Sequence, residues 1–431
     1  LQILKGVKNL IILLLFIILL FLGVPIIFAL LVPGIAACIF YPDIPIQMMS
    51  SRLANSFLSS SLLAVPLFVF AAQILTDIEV ADNIFSFINK VVGHVRGGLA
   101  HVNVVASVIF AGMSGLAVAD AAGLGKVEIE AMNKQGYPKS FAAAVTAASA
   151  TIGPIIPPSV PLIILGSIGG VSIGKLMIGG FVPGIIMAIV MMILISLIAR
   201  RRGFPKTKFE GFGVLWKNAV KAFPGLMAPI ILIGGMVSGF FTPTEAAAVA
   251  VVYAIMVGFM LKTLTLKGLL HSFRRAALDS AVILVCFIGA SLIGLLVLRL
   301  HVADAAIKFM TGFTDSPVVL LMVINIFLLI VGCLLDSTCS IILFTPILLP
   351  LTKAFGINEI HFGVVMILNL MIGLLTPPMG TLLFVTCKVA ELKMADLLKE
   401  VWPFLICLLV ALVTVTYVPQ TVTWLPGLFI K

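Results

Sequence analysis

Apolar residues run along this chain in long stretches, roughly 10 to 40, 53 to 75, 99 to 119, 140 to 170, 176 to 199, 220 to 240, 245 to 261, 280 to 298, 317 to 350, 361 to 390 and 402 to 419. Polar positions gather between these stretches and do not alternate through them, as in helices that are apolar all round. One membrane crossing takes ~20 apolar residues, so the longer stretches hold more than one segment, and about 11 to 14 membrane segments are expected. Some stretches are too broken by glycine and proline to be straight, and the breaks recur. Ile152-Gly153 followed by Pro157-Pro158 returns 220 positions later as Ile372-Gly373 followed by Pro377-Pro378, while Gly112, Gly136 and Pro183 return as Gly332, Gly356 and Pro403. Glycine and proline interrupt helices, so each half is expected to carry a broken helix.

Val80-Ala81-Asp82 and Val302-Ala303-Asp304 extend the echo upstream. The expected organisation is repeat one over 1–205, a basic cytoplasmic linker over 206–221, and repeat two over 222–431. Each repeat would hold scaffold helices, a hairpin and a broken helix. An odd number of crossings per half would set the halves inverted in the membrane, an arrangement that secondary transporters use to build a midplane site. Backbone freed from a helix inside lipid costs several kcal/mol per unsatisfied group, so such breaks persist only where protein or a wet cavity covers them. The breaks therefore mark a polar interior.

Composition sharpens the class. The chain is 61% hydrophobic and 10% charged, with mean hydropathy +1.27, against about 45–50% apolar and about 25% charged in soluble domains. Its net charge of +10 suggests nucleic acid until its distribution is considered. Arg200, Arg201, Arg202, Lys206, Lys208, Lys217 and Lys221 lie between two apolar blocks with Glu210 alone opposing them, and Lys262, Lys267, Arg274 and Arg275 form a second basic stretch. Both read as cytoplasmic by the positive-inside rule, as do Lys5 and Lys8 at the N-terminus. No nucleic-acid partner is expected; the partner of this charge is the bilayer. Leu1 stands where Met would open a complete polypeptide, as in a segment of a longer one.

Several chemistries are excluded. Gly169-Gly170-Val171-Ser172-Ile173-Gly174-Lys175 begins like a nucleotide-binding loop but puts Leu176 where the magnesium-binding hydroxyl belongs; Gly170 to Gly174 reads instead as a close helix contact. The five histidines form no HxxxH or HExxH pattern, His94 and His101 read as interfacial, and the six cysteines show no CxxC spacing and read as small buried hydrophobes. An enzyme is not expected.

The breaks carry the functional signal. Thr146 to Ser159 and Gly373 to Gly380 cannot be continuous helix. Released carbonyls suit a hard cation such as sodium, and the half-helix that restarts offers N–H groups and a positive dipole end to an anion. Upstream of the first break lie Gly112-Met113-Ser114-Gly115 and Asp120; upstream of the second lie Gly332-Cys333 and Asp336-Ser337-Thr338. Asp336 reads as a residue near the ion or substrate. Asp120, Lys126, Glu128 and Glu130 fit either that role or a hairpin reaching water. Arg52 either attracts a carboxylate or snorkels; Ser59-Ser60-Ser61 either line a path or bond back to helix carbonyls. Glu245 reads as part of a helix cap, and Arg299, His301 and Asp304 as a water-facing loop.

Gly112-Met113-Ser114-Gly115 with Ala117 to Ala122, Ile152-Gly153-Pro154-Ile155-Ile156-Pro157-Pro158-Ser159, Phe241-Thr242-Pro243-Thr244-Glu245-Ala246-Ala247 and Gly373-Leu374-Leu375-Thr376-Pro377-Pro378 resemble the large membrane subunit of tripartite ATP-independent periplasmic (TRAP) transporters. The resemblance spans nearly the whole chain. It implies an all-α polytopic membrane protein of two inverted repeats, with re-entrant hairpins and broken helices, moving as an elevator in a bacterial or archaeal inner membrane. It implies sodium-coupled import of a carboxylated solute, such as a C4-dicarboxylate, a sialic acid or a related acid. The implied partners are a small four-helix membrane subunit and a periplasmic substrate-binding protein. Sodium would be the coupling ion, with no other cofactor. By the resemblance, main-chain carbonyls of Gly332, Gly373, Thr376 and Met379 would form one sodium site; the 220-residue offset then puts its partner at Gly112, Gly153, Ile156 and Ser159. Arg52, Ser60, Ser114, Pro158, Asp336, Ser337, Thr338 and Pro378 are the substrate-binding candidates. Ser51 and Leu58-Ser59-Ser60-Ser61 depart from the family's Gln-Arg-Leu and Asp-Ser-Phe-Pro patterns. A stand-alone ion-coupled anion carrier and a non-transporting structural subunit remain as alternatives.

Overall fold

The computed structural model describes residues 26–40 and 62–429, except 79, 207–209 and 300, with a few isolated positions before 62. Among the described residues every regular element is a helix. The first half contains α1 (Ile26–Phe40), α2 (Ala64–Asp77), α3 (Val80–Val92), α4 (Gly98–Ser114), α5 (Ala117–Lys134), α6 (Lys139–Ala150), α7 (Val160–Gly169) and α8 (Ile173–Arg202). The second contains α9 (Phe212–Val237), α10 (Pro243–Met260), α11 (Leu266–Arg299), α12 (Val302–Phe313), α13 (Pro317–Leu334), α14 (Ser337–Ala354), α15 (Glu359–Gly373), α16 (Thr381–Ala390), α17 (Met394–Tyr417) and α18 (Gln420–Phe429).

The glycine and proline echo is an echo of helices. Hairpin α4–α5 recurs as α13–α14, with α5 and α14 offset by 220 residues at both ends, and the broken helix α6–α7 recurs as α15–α16. Both Pro-Pro bonds, Pro157-Pro158 and Pro377-Pro378, are cis. Between the hairpins lie α6–α7, α8, α9, α10, α11 and the short α12, of which α8 to α11 are long and apolar enough to cross a membrane alone. Counting the broken pair as one crossing, and the 12-residue α12 as none, gives an odd number, as in halves that enter from opposite faces.

Local chemistry fixes where helices start. Ser159 Oγ accepts from Leu162 N at 3.2 Å to open α7, and Asn358 Oδ1 accepts from Ile360 N and His361 N to open α15. Thr242 and Glu245 form a reciprocal capping box in front of α10, with Thr242 N donating to Glu245 Oε2 at 2.7 Å and Glu245 N donating to Thr242 Oγ1 at 3.3 Å, as Glu245 was expected to do. α8 ends in Arg200, Arg201 and Arg202, which complement the helix dipole. Arg202 reaches Glu400 at 2.8 Å and lies over the Phe141 ring.

The short elements lean on one another across the halves. Half-helix α7 packs on α14, and α16 packs on α5, so each hairpin's second arm is covered by the other half's broken helix. Around this inner set an outer set pairs α1 with α11, α2 with α10 and α3 with α9. Small residues allow the close approach: α6 contributes Ala142, Ala143, Ala144, Ala147 and Ala148, all fully buried.

Three expectations are corrected. The stretch read as a linker, 206–221, is helical from Phe212 onward; Phe212 and Trp216 are exposed beside Lys217 and Lys221, the composition of an interfacial helix end. His101 is buried in α4, its Nε2 3.3 Å from Ser196 Oγ of α8, because the hairpin arm sits inside the bundle. Gly170 serves a turn and not a close approach: it closes α7 at φ 66°, with open space where a Cβ would point. His301 and Asp304 pair at 2.7 Å and are exposed as expected, but Arg299 ends α11 and Asp304 lies in the first turn of α12, so the expected loop is a tight junction between two helices.

Candidate functional site

Proline explains the two breaks at the level of single hydrogen bonds. In a continuous helix the Gly153 and Pro154 carbonyls would accept from residues 157 and 158, which are prolines without N–H. Pro154 O is satisfied instead by the Ser159 hydroxyl. Among the described residues no amide donates to the carbonyl of Gly153 or Ile156. In the second break Gly373 O accepts from Thr376 N at 2.9 Å, Thr376 O accepts from Gly380 N at 3.2 Å, and no amide among the described residues donates to Met379 O. A carbonyl has two lone pairs, so acceptors already bonded once can still face an ion.

Glycine brings hairpin two onto the second break. A Cβ built on Gly373 would stand 2.6 Å from Gly332 C and Cα, so the two backbones touch. Gly332, Gly373, Thr376 and Met379 thus belong to one locality formed by the end of α13 and the turn after α15. The first half is not a copy. Gly112 faces Pro229 of α9, and the hairpin instead meets the break at Gly115, which has φ 63° and lies against Pro158 O. Of the four positions predicted there, Gly153 and Ile156 line the break. Ser159 is spent on the α7 cap, and its carbonyl accepts from Ile163 N at 3.1 Å. The offset transfers backbone course, whereas side-chain neighbours depend on the helix packed opposite.

Asp120 takes the place that Gly112 leaves. Its Oδ1 accepts from the Ser114 hydroxyl, its Oδ2 lies against Gly153, and Oδ2 has no hydrogen-bond partner among the described residues. Glu128, two turns further along α5, has an equally unpartnered Oε1. Asp120 and Glu128 are 7% and 2% exposed, whereas Lys126 and Glu130 are exposed. The choice between a hairpin reaching water and a buried role is therefore split residue by residue along one helix. Asp120 and Ser114 also line a cleft that continues past Gln73, Thr76 and Asp279 between hairpin one and helices α2 and α11. Ser114 and Asp120 were visible in the sequence; their junction with Gly153 was not, because it depends on how α5 packs on α6.

The second-half candidates diverge. Asp336 is exposed and is the N-cap of α14, accepting from Thr338 N at 2.9 Å, so one oxygen is committed to the helix. The first orphan N–H groups of α14 hold that oxygen, which fixes where the carboxylate stands at the tip of hairpin two. Ser337 is buried and Thr338 half-buried behind it. Pro158 is buried and Pro378 exposed. Arg52 and Ser60 lie outside the described residues.

Two buried polar links tie hairpins to broken helices below these sites. Asn103 of α4 donates to Thr146 Oγ1 at 2.7 Å and accepts from Ser149 Oγ at 2.7 Å. Asn369 of α15 donates to Asn325 Oδ1 at 2.9 Å and to Asn325 O at 3.0 Å, while Asn325 donates to Thr416 Oγ1 at 3.0 Å. Sequence spacing hides these links, since Asn103 falls opposite Val323 in the 220-residue offset.

Duplicated hairpins and broken helices, gathered round polar backbone inside an apolar helical bundle, define a multi-pass membrane protein built on a transporter plan. Comparison with known proteins makes this specific. The family model for the tripartite ATP-independent periplasmic transporter, DctM component, matches residues 13–421, and the chain belongs to that family. It is 39% identical over 413 residues to the sialic acid TRAP transporter large permease protein of Vibrio cholerae, covering 96% of this chain and 97% of the relative. It is 38% identical over 402 residues to the 2,3-diketo-L-gulonate large permease of Escherichia coli, covering 93% and 94%. It is 34% identical over 430 residues to a C4-dicarboxylate large permease of V. cholerae, covering 94% of each. Among solved structures, the Alcanivorax borkumensis YdaH transporter shares the fold, with a TM-score of 0.63 at 14% identity over 88% of this chain and 90% of that one.

Proposed function

We propose that this chain is the inner-membrane subunit that moves a carboxylated organic solute into the cell, driven by sodium and supplied by a periplasmic binding protein. The observation that carries the reading is the contact between Gly332 and Gly373, which sets the last turn of α13 against the end of α15, where the second break begins, within an apolar bundle. Carbonyl oxygens held in a low-dielectric interior favour a small hard cation, and the half-helix that follows offers its N-terminus to an anion. The substrate class follows from the relatives' names: sialic acid, 2,3-diketo-L-gulonate and C4-dicarboxylates share a carboxylate. In this reading the inner set, the hairpins and broken helices, travels as an elevator, and the outer set around α2, α10 and α11 stays fixed. A small four-helix membrane subunit covers part of the outer set.

Orientation follows the positive charge. Arg200 to Lys221 and Lys262 to Arg275 face the cytoplasm, which leaves the Thr242–Glu245 turn on the periplasmic side. The test is reconstitution of the full chain with its membrane partner in proteoliposomes. Uptake of sialic acid, sugar acids, keto acids and C4-dicarboxylates is measured with and without the binding protein and a sodium gradient. Uptake is expected to require both. Uptake indifferent to sodium would refute the coupling, and uptake without the binding protein would favour a stand-alone carrier.

A further inference from the structure

The polar side chains of the cleft beside hairpin one have a property in common: they face it with lone pairs, their hydrogens being spent elsewhere. The cleft lies between the hairpin, which brings Ser114 and Asp120, and the outer set, which brings Gln73 and Thr76 of α2 and Asp279 of α11. Thr76 Oγ1 donates to Ala72 O at 2.8 Å, and the Gln73 amide nitrogen is turned to both oxygens of Asp77, at 3.3 and 3.5 Å. The Ser114 hydroxyl donates to Asp120 Oδ1. What remains for an occupant is the oxygen of each of these groups and two carboxylates, Asp279 exposed and Asp120 buried, with Oδ2 of Asp120 unpartnered among the described residues. The first turn of α5 also borders the cleft, but Asp120 stands in that turn and answers its dipole. No lysine or arginine is among the described residues that line it, and apolar groups such as Val69, Phe110 and Met113 complete the walls.

Such a lining welcomes hydrogen-bond donors and repels a second anion. A bare cation calls for a closed shell of oxygens, and here the oxygens stand on separate helices of an open cleft whose walls are otherwise apolar. A sugar-like chain fits both parts: its C–H faces meet the apolar walls, and its hydroxyls donate to the oxygens. We propose that this cleft holds the hydroxyl-bearing end of the solute, so that the acid carried is a polyhydroxylated monocarboxylate and a C4-dicarboxylate is rejected. Asp279 is the specificity-determining residue on the outer set, accepting from solute hydroxyls and repelling a second carboxylate. The proposal rests on the transport reading above and narrows its substrate class.

The full chain with its membrane partner is purified in detergent with sodium, and binding of gluconate, hexanoate and glucarate is followed by calorimetry. Hexanoate lacks the hydroxyls of gluconate, and glucarate puts a second carboxylate in place of its terminal hydroxyl. Gluconate is expected to bind at least about tenfold more tightly than either. Asp279 is exposed, so Asp279→Asn leaves the packed interior alone, and it should shrink the gluconate-to-glucarate ratio at least about fivefold. Hexanoate or glucarate binding as tightly as gluconate would overturn the proposal, and so would absence of gluconate binding. A ratio unchanged in Asp279→Asn would overturn the role of that residue. Sodium alone bound more weakly by Asp279→Asn, with the ratio between the acids intact, would make the cleft a cation site instead. Wild type that binds gluconate but takes up no acid in proteoliposomes supplied with sodium and the binding protein would overturn the transport reading and leave the cleft standing as a ligand site.

Discussion

Replacing Gly373 with alanine tests the heart of the site. The new methyl carbon would sit 2.6 Å from two backbone atoms of Gly332, whereas non-bonded carbons rest at about 3.5–4.0 Å. Neither neighbour is a flexible side chain, so hairpin two and the second break must part by about 1 Å, and forced overpacking of this kind costs about 1–3 kcal/mol. If that cost falls on the sodium-bound arrangement, the sodium concentration for half-maximal uptake rises by roughly 5- to 150-fold. The assay is uptake in proteoliposomes across a sodium titration, with size-exclusion profile and thermal unfolding as folding controls. Gly234→Ala on α9, where a Cβ meets nothing within 4 Å, should leave the titration unchanged. A Gly373→Ala protein with wild-type rate and sodium dependence would refute the placement of the ion between these glycines.

Asp120→Asn keeps the Ser114 contact but removes the ionisable oxygen beside Gly153; uptake should fall at least about tenfold with expression intact, and unchanged uptake would make Asp120 structural. Asn369→Leu leaves the Asn325 side chain short of a partner in a dry interior, at a cost of about 1–3 kcal/mol, read as a lower unfolding temperature. Thr242→Ala dismantles the α10 capping box and should cost about 1 kcal/mol without changing the sodium titration; a shifted titration would place that turn in the transport path.

What the chain spelled out was its backbone course. Proline without an N–H and glycine without a Cβ act wherever they stand, so the breaks at Gly153–Pro158 and Gly373–Pro378, and the hairpins before them, could be placed from spacing alone. The family likeness rested on these same motifs. What the chain concealed was the choice of neighbour. Asp120 and Asp336 look alike in sequence, each a few residues past a glycine. One is packed against a broken helix and keeps an oxygen without a donor; the other meets the bare start of α14 and caps it. Gly112 and Gly332 look equivalent too, yet α9 stands over one and α15 over the other. These differences arise between distant segments, where a fixed offset carries no information.

The two breaks share a backbone plan but not an environment. Residues 151–158 are all buried, whereas Thr376 and Pro377 are half-buried and Pro378 and Met379 exposed. For halves that enter the bilayer from opposite faces, this makes the molecule lopsided about its own internal symmetry axis. Imposing each half's geometry on the other generates a second, mirror-assigned arrangement of the same chain, with the shelter given to 376–379 and withdrawn from 156–159. Under the elevator reading proposed above, the protein's own duplicated parts therefore prescribe the opposite end of the transport cycle.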